Sequence, residues 1–148
     1  MIPNDLTLLR EITKQIKIAK KTSVKIGLGA DVGHYSDGTS ILEVGQKHEF
    51  GLGVPRRSFI RMPIEKEKDK INNALQSGYR NILQGQSAIL QLNRLGLLAQ
   101  NISKTSFKNQ GYGQWQDISQ QTKDAKGSSK ILQDTGRLAQ SITFWVVD

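Results

Sequence analysis

Residues 48–61 read His-Glu-Phe-Gly-Leu-Gly-Val-Pro-Arg-Arg-Ser-Phe-Ile-Arg, and the rest of the chain is organised around this stretch. Gly51 and Gly53 adopt positive φ at little cost, so the backbone can turn sharply at both positions. Pro55 fixes its own φ and pushes Val54 towards an extended conformation. We therefore expect a shaped connector, called the connector below, between two helices.

Two interpretations of the connector are open. In the first, it is an ordinary loop that is pinned by Phe50 and Phe59 as core side chains, one on each side of the turn. In the second, the loop presents an apolar anchor together with Arg56, Arg57 and Arg61 to a partner.

The composition is that of a polar, soluble protein with a strongly basic balance. A chain of 148 residues suits a single domain, residues 1–148, and its formal net charge is +8. Such a charge favours an acidic partner, either nucleic acid or an acidic protein face. The absence of cysteine excludes disulfides, thiolate nucleophiles and zinc–cysteine sites. We find no apolar run that could span a membrane and no secretory signal.

The chain before the connector begins with an N-terminal helix within residues 1–21. Apolar side chains recur at spacings of three and four over residues 5–21, which is the period of an amphipathic helix. Four lysines occupy its C-terminal half, and they form either a solvated face or a patch that contacts phosphates. These lysines are Lys14, Lys17, Lys20 and Lys21.

A strand and a second helix are expected between the N-terminal helix and the connector. Residues 22–29 alternate between apolar and polar side chains, as a half-buried strand does. Ser40 is a suitable N-cap for a short helix that runs to Glu49. A second strand over residues 39–44 is the alternative.

After the connector, the sequence predicts an antiparallel hairpin of two long helices. The first runs from Pro63 to about Leu83 and ends at Gly85, and the second covers residues 87–108. Gly96 lies inside the second helix, where glycine costs stability. We therefore expect a neighbouring helix to approach closely there.

The C-terminal part combines a polar arm with a short patterned end. Residues 109–130 are rich in glycine and polar side chains, with Trp115 and Ile118 as the strong anchors, and they predict an extended arm. A one- or two-turn helix over residues 136–140 and a strand over residues 141–147 follow. The strand is apolar on both faces, which is typical of a strand that is covered on both sides or lies in a subunit interface.

Catalytic chemistry is missing from the sequence. The two histidines are far apart, no phosphate-binding glycine loop is present, and no carboxylate pair stands out. We expect a protein that is not an enzyme, with no catalytic residue, no cofactor and no metal site.

Several segments, taken in order, resemble a family of tailed-bacteriophage morphogenesis proteins. Residues 48–51 and 54–61 are similar to its pattern Glu-Phe-Gly, a gap, and Ile-Pro-x-Arg-Pro-Phe-Leu-Arg. Residues 132–143, Leu-Gln-Asp-Thr-Gly-Arg-Leu-Ala-Gln-Ser-Ile-Thr, resemble its segment Leu-x-x-Thr-Gly-x-Leu-x-x-Ser-Ile. Ser58 stands where the family usually has proline, so we expect a less rigid loop here.

Two shorter segments extend the resemblance. Val24-Lys25-Ile26-Gly27 resembles the first strand of the family. Trp115, Thr122 and Lys126-Gly127-Ser128 are similar to its Trp…Thr…Lys-Gly-Ser arm.

This resemblance implies a fold and a role. The fold is α+β, with a small antiparallel sheet flanked by helices, to which the sequence adds the long helical hairpin and the extended polar arm. The role is that of a structural virion protein that forms an oligomeric ring, often of six subunits, at the head–tail neck or the top of the tail. Tail completion and head–tail joining are the tasks of such proteins.

The same resemblance implies partners and location. The partners are further copies of the chain, other phage neck, connector or tail proteins, and genomic DNA in passing, without a membrane. The protein would be found in the virion, and in the host cytoplasm during assembly. The alternative is a basic accessory protein that binds nucleic acid, which the net charge favours.

A ring needs two different complementary patches on each subunit. We assign one patch to the connector and the other to the arm with the terminal segment. We expect charge reversal at Arg56 and Arg57 to abolish assembly or attachment while the fold stays intact. The eight residues of this interface hypothesis are Phe50, Arg56, Arg57, Phe59, Arg61, Trp115, Arg137 and Trp145.

Overall fold

The computed structural model describes residues 5–117, 119, 124 and 136–148, and its elements follow the predicted order. The helices are α1 (Asp5–Lys21), α2 (Ile41–Phe50), α3 (Arg61–Lys66), α4 (Lys68–Leu83), α5 (Ala88–Lys108) and α6 (Arg137–Gln140). The strands β1 (Ser23–Leu28) and β2 (Ile142–Val147) pair in a two-stranded antiparallel sheet. The predicted α+β class with a small antiparallel sheet is confirmed.

The chain divides into two compact units. The first unit consists of Met1–Lys25, Lys68–Ala99 and Phe144–Asp148. The second unit consists of Ile26–Glu67 and Gln100–Thr143, and it contains the connector.

In the first unit, α4 and the beginning of α5 form the predicted hairpin. Gly85 ends α4 in the left-handed conformation, with φ +85°, and its N–H donates to the carbonyl of Ile82 at 2.9 Å. The hydroxyl of Ser87 accepts the N–H of Leu90 at 3.3 Å, as an N-cap does. Local turn and cap chemistry thus fixes this reversal.

The helix α1 begins and ends where the periodicity predicts. Its inward side is marked by Gln15, which is only 8% exposed. The Gln15 side-chain oxygen accepts the backbone N–H of Ala88 at 2.8 Å, and this bond satisfies a free donor at the start of α5. One polar side chain therefore fixes α1 against the hairpin.

Two predictions about the hairpin are wrong. The helix expected from Pro63 to Leu83 is divided into α3 and α4, because the backbone leaves the helical conformation at Glu67 (φ −100°, ψ 22°), directly after Lys66. Gly96 does mark a close approach, but the neighbour is the ring of Phe144 on β2 and not a helix. A Cβ at Gly96 would overlap that ring.

The core of the second unit is built around aromatic side chains. The rings of Phe59 and Phe107 lie 5.3 Å apart between centroids, and Phe107 meets Trp115 edge-on at 5.4 Å. Such offset and edge contacts are the favourable geometries for aromatic pairs. The same core includes Ile41, Leu138 and Ile142.

The helix α2 supplies the entry to the connector. The Ser40 hydroxyl accepts the N–H of Glu43 at 3.3 Å, so the predicted N-cap is confirmed and the alternative strand over residues 39–44 is wrong. Gly45 lets α2 pack closely, because a Cβ there would meet the side chains of Leu28 and Leu138.

The first residues of the predicted arm are not extended. Residues 109–117 form a compact turn in which the Gly111 N–H donates to the carbonyl of Ser106 at 2.7 Å. Trp115 is buried, so its packing overrides the polar composition of the turn. The expectations for Ile118, for Thr122 and for residues 125–130 lie outside the described residues.

None of the helices in the described part of the chain is long and apolar enough to cross a membrane.

Candidate functional site

A buried carboxylate holds the connector in place. The side chain of Glu49 is 8% exposed and lies in the last turn of α2. Its Oε1 accepts the Ser58 hydroxyl at 2.8 Å and the Arg61 N–H at 3.1 Å. Its Oε2 accepts the N–H groups of Phe59 at 2.8 Å and Ile60 at 3.0 Å. Four hydrogen bonds thus converge on one carboxylate, which we call the Glu49 clamp.

The sequence around the clamp explains why the chain returns to it. Gly51 ends α2 in the left-handed conformation, with φ +74°. The N–H groups of Gly51 and Leu52 both donate to the carbonyl of Lys47, at 2.8 and 2.9 Å. The Arg57 N–H then donates to the carbonyl of His48 at 2.8 Å, which brings the following residues back beside α2.

The Glu49 carboxylate also accepts backbone N–H groups at the start of α3. The first N–H groups of a helix have no partner within the helix, and a negative charge near them is favourable. Glu49 accepts the N–H groups of Ile60 and Arg61, which are the N-cap and the first residue of α3. This carboxylate therefore replaces the missing side-chain cap of that helix.

The hydroxyl and the carbonyl of Ser58 are both hydrogen-bonded within the protein. Its hydroxyl donates to Glu49 and accepts the N–H of Met62 at 2.9 Å. Its carbonyl accepts the indole N–H of Trp115 at 3.2 Å. Two hydrogen bonds of the hydroxyl thus restrain the backbone at the position where the resembled family usually has proline.

Arg57 is a buried structural residue. It is 6% exposed, and its Nε and Nη2 donate to the carbonyl of Gln116 at 3.2 and 3.1 Å. Burial lowers the pKa of the guanidinium, and the nearby charge of Asp117 opposes this shift. An acidic side chain at position 57 would face this carbonyl inside the protein, so the burial of Arg57 argues against an intact fold after charge reversal there.

Two more residues of the interface hypothesis lie inside the second unit. Phe59 is 1% exposed and Trp115 is 7% exposed, and both belong to its aromatic core. The carbonyl of Phe59 accepts the hydroxyl of Ser103 on α5. Both side chains therefore pack in the core and do not lie on the surface of the chain.

The outer part of the connector carries apolar side chains in solvent. Phe50 is 55% exposed and Leu52 is 57% exposed, so the expectation that Phe50 is a core anchor is wrong. Phe50 is the last residue of α2, and Leu52 follows the left-handed Gly51. We call residues 50–53 the tip.

Two exposed arginines accompany the tip. Arg56 donates from its guanidinium Nε to the carbonyl of Glu49 at 3.2 Å, and Arg61 begins α3. Both side chains are exposed. The connector therefore carries both apolar and cationic side chains that are exposed.

The remaining two residues of the hypothesis belong to the C-terminal segment. Arg137 is exposed, and its Nη1 donates to the carbonyl of His34 within the second unit. Trp145 lies on β2 in the first unit and is 39% exposed.

Leu52 was missed by the sequence reasoning. Its position could have indicated its exposure, since an apolar residue between two turn glycines cannot easily reach a core.

Among the described residues, no group of three histidine, aspartate or glutamate side chains is placed to hold a metal ion.

No protein-family model, curated protein or solved structure matches this chain.

Proposed function

We propose that this chain is a structural protein of a tailed-phage or prophage virion, with no catalytic activity. Its copies form a ring at the head–tail neck or the top of the tail, where they complete the tail or join it to the head. The resemblance of residues 48–61 and 132–143 to such proteins supports this role. Its partners are neighbouring neck, connector or tail proteins, and its locations are the virion and the host cytoplasm during assembly.

The preformed tip is the observation that carries the proposal. Two large apolar side chains, each more than half exposed, stand on a loop whose backbone is held by the Glu49 clamp and by buried Arg57. A loop that is already ordered loses little conformational freedom on binding, so more of the contact energy remains as affinity. Apolar anchors with an arginine rim are typical of protein–protein contacts.

A second patch is required for ring closure, because head-to-tail contacts join two different surfaces. We assign it to β2 and its exposed Trp145. In the described residues the sheet has two strands, with β2 paired to β1, and we propose that a strand of a neighbouring copy extends this sheet at β2.

The tip variant Phe50→Ser/Leu52→Ser tests this proposal. Both side chains are in solvent, so the variant should keep its free energy of unfolding and lose self-association. The matched control is Leu90→Ser/Leu97→Ser, which removes two leucines that are 46% and 52% exposed on α5. The molar mass of each protein is measured by light scattering over a range of concentrations.

The proposal expects a multimer for the wild type and for the control, and a monomer for the tip variant. A tip variant that assembles like the wild type would contradict it. Equal loss of assembly in both variants would also contradict it, because the effect would then follow from lost surface apolarity in general.

A further inference from the structure

A row of basic side chains runs along one face of α1. Arg10, Lys14, Lys17 and Lys21 follow each other at spacings of four, three and four residues. At about 100° per residue, their directions fall within roughly 60° of one another, and the row extends for about 16 Å along the axis. All four side chains are exposed. We call this row the α1 stripe.

The stripe lies on the outer side of the helix. Gln15, which bonds to Ala88, marks the inner side, and its direction is roughly 130° from the middle of the stripe. The four basic residues line a surface groove of about 680 Å³, together with Leu6, Leu9, Thr13 and Ile18. The helix is therefore fixed in the orientation that presents the stripe outwards.

Little negative charge opposes the stripe. Glu11 is the only carboxylate between Leu6 and Lys21, and its Oε2 lies 3.9 Å from Lys14 Nζ. The same carboxylate accepts the side-chain amide of Gln15 at 2.6 Å. By sequence, the first unit has ten lysines and arginines against four aspartates and glutamates, whereas the second has eleven against nine. The excess positive charge is thus concentrated in the unit that carries the stripe.

We propose that the α1 stripe binds the phosphate backbone of nucleic acid, without preference for base sequence. Neighbouring members of the stripe are about 5–6 Å apart at Cβ, so successive side chains can neutralise successive phosphates. Flexible lysines contact phosphates as point charges and carry no information about bases. This inference does not depend on the proposed ring.

The arrangement favours nucleic acid over a membrane surface. A helix that lies in a membrane interface buries its apolar face in the lipid and carries its lysines and arginines on the opposite, polar face. On α1 the face opposite the stripe is already packed within the first unit, because Gln15 bonds to Ala88 and Ala19 lines a small cavity together with Ala74 and Leu92.

The test compares two variants with equal loss of charge. The stripe variant is Arg10→Gln/Lys14→Gln/Lys17→Gln/Lys21→Gln. The control variant is Lys66→Gln/Lys68→Gln/Arg80→Gln/Arg94→Gln, whose four exposed positions lie on α3, α4 and α5. Binding to fluorescently labelled double-stranded DNA of two unrelated sequences is measured by anisotropy at several salt concentrations.

For the wild type we expect equal affinity for both sequences and a steep fall of affinity with salt. The stripe variant should bind at least about tenfold more weakly, and its slope of log K against log salt should be shallower by about 3 to 4, or roughly 0.9 per lost phosphate contact. The control variant should keep most of the wild-type slope of log K against log salt.

Three results would overturn the inference: a wild type that does not bind DNA, equal losses in both variants, or an unchanged slope in the stripe variant. Stripe-dependent sedimentation with phosphatidylserine vesicles, without DNA binding, would assign the stripe to membranes and overturn it too. The molar mass of the stripe variant, measured in parallel, should equal that of the wild type. The outcomes for DNA binding and for assembly therefore remain separate.

Discussion

At the scale of single residues, the Glu49 clamp determines the shape of the connector. One buried carboxylate accepts a hydroxyl and three backbone N–H groups from four consecutive residues. Hydrogen bonds to a charged group are stronger than neutral ones, and a buried donor without a partner is costly. The clamp therefore holds residues 58–61 of the connector against the end of α2, although the connector contains two glycines.

The variant Glu49→Gln tests the clamp. The amide nitrogen of glutamine would face N–H donors and leave some of them without an acceptor, so we expect the free energy of unfolding to fall by about 2 to 4 kcal/mol. Chemical denaturation measures this change. Glu65→Gln, at an exposed position on α3, is the control and should change stability little. A clamp variant as stable as the control would show that the four bonds do not hold the connector.

Tyr112 provides a prediction about pH. Its hydroxyl donates to Glu67 Oε1 at 3.3 Å. Burial, followed by the charge and hydrogen bond of Glu67, raises the pKa of Tyr112 above its ordinary value of 10.0. Because the folded state then holds the proton more tightly than the unfolded state, this contribution to stability is complete below pH 10.0 and is lost as pH rises through the raised pKa.

Removing the charge of Glu67 should lower the pKa of Tyr112. We expect tyrosinate absorbance of Glu67→Gln to develop at lower pH than in the wild type. The same substitution in a Tyr112→Phe background should leave the titration unchanged. If the titration moves equally in both backgrounds, the shift does not belong to Tyr112.

Residue-level predictions from sequence succeeded where the chemistry is local and failed where it depends on tertiary contacts. The Ser40 cap and the stop at Gly85 follow from neighbours in the chain. The exposure of Phe50 and the burial of Arg57 do not, because each depends on which side of the connector faces the core. The residues of the interface hypothesis therefore divide into buried ones, such as Arg57 and Phe59, and exposed ones, such as Phe50 and Arg56, and this division could not be predicted from the sequence.

At the scale of elements, hydrophobic period and capping were enough to place most helices and both strands. The predicted bounds of α1, β1 and β2 agree with the structure to within one residue at each end. The packing partner of Gly96 could not be predicted, because a small residue indicates a close neighbour without identifying it. The turn over residues 109–117 was missed for a related reason, since one buried tryptophan outweighs a polar composition.

Two helical glycines give a matched test of packing. Gly96→Ala would place a methyl group in the ring of Phe144, so we expect a loss of about 1 to 3 kcal/mol in the free energy of unfolding. Gly78→Ala would place its methyl group 3.4 Å from Gln91 Cβ, an ordinary contact, and should be neutral or gain up to about 1 kcal/mol from helix propensity. Thermal and denaturant unfolding distinguish the two. Equal effects would contradict the close approach of Phe144.

At the scale of the whole molecule, two different surfaces have two different proposed uses. The tip, in the second unit, is apolar with flanking arginines and suits a protein partner. The α1 stripe, in the first unit, is cationic and suits a polyanion. Net charge alone could not separate these uses, because +8 describes the whole chain and not its distribution between the units.

Assembly of copies of this chain through the preformed tip is the main proposal to be tested. The most direct measurement is the molar mass of the wild type by light scattering, over a wide range of concentrations and at low and high salt, without nucleic acid. We expect a closed multimer of one fixed stoichiometry that persists at high salt, because the proposed contact is largely apolar. A wild-type chain that remains monomeric across the whole range would contradict it.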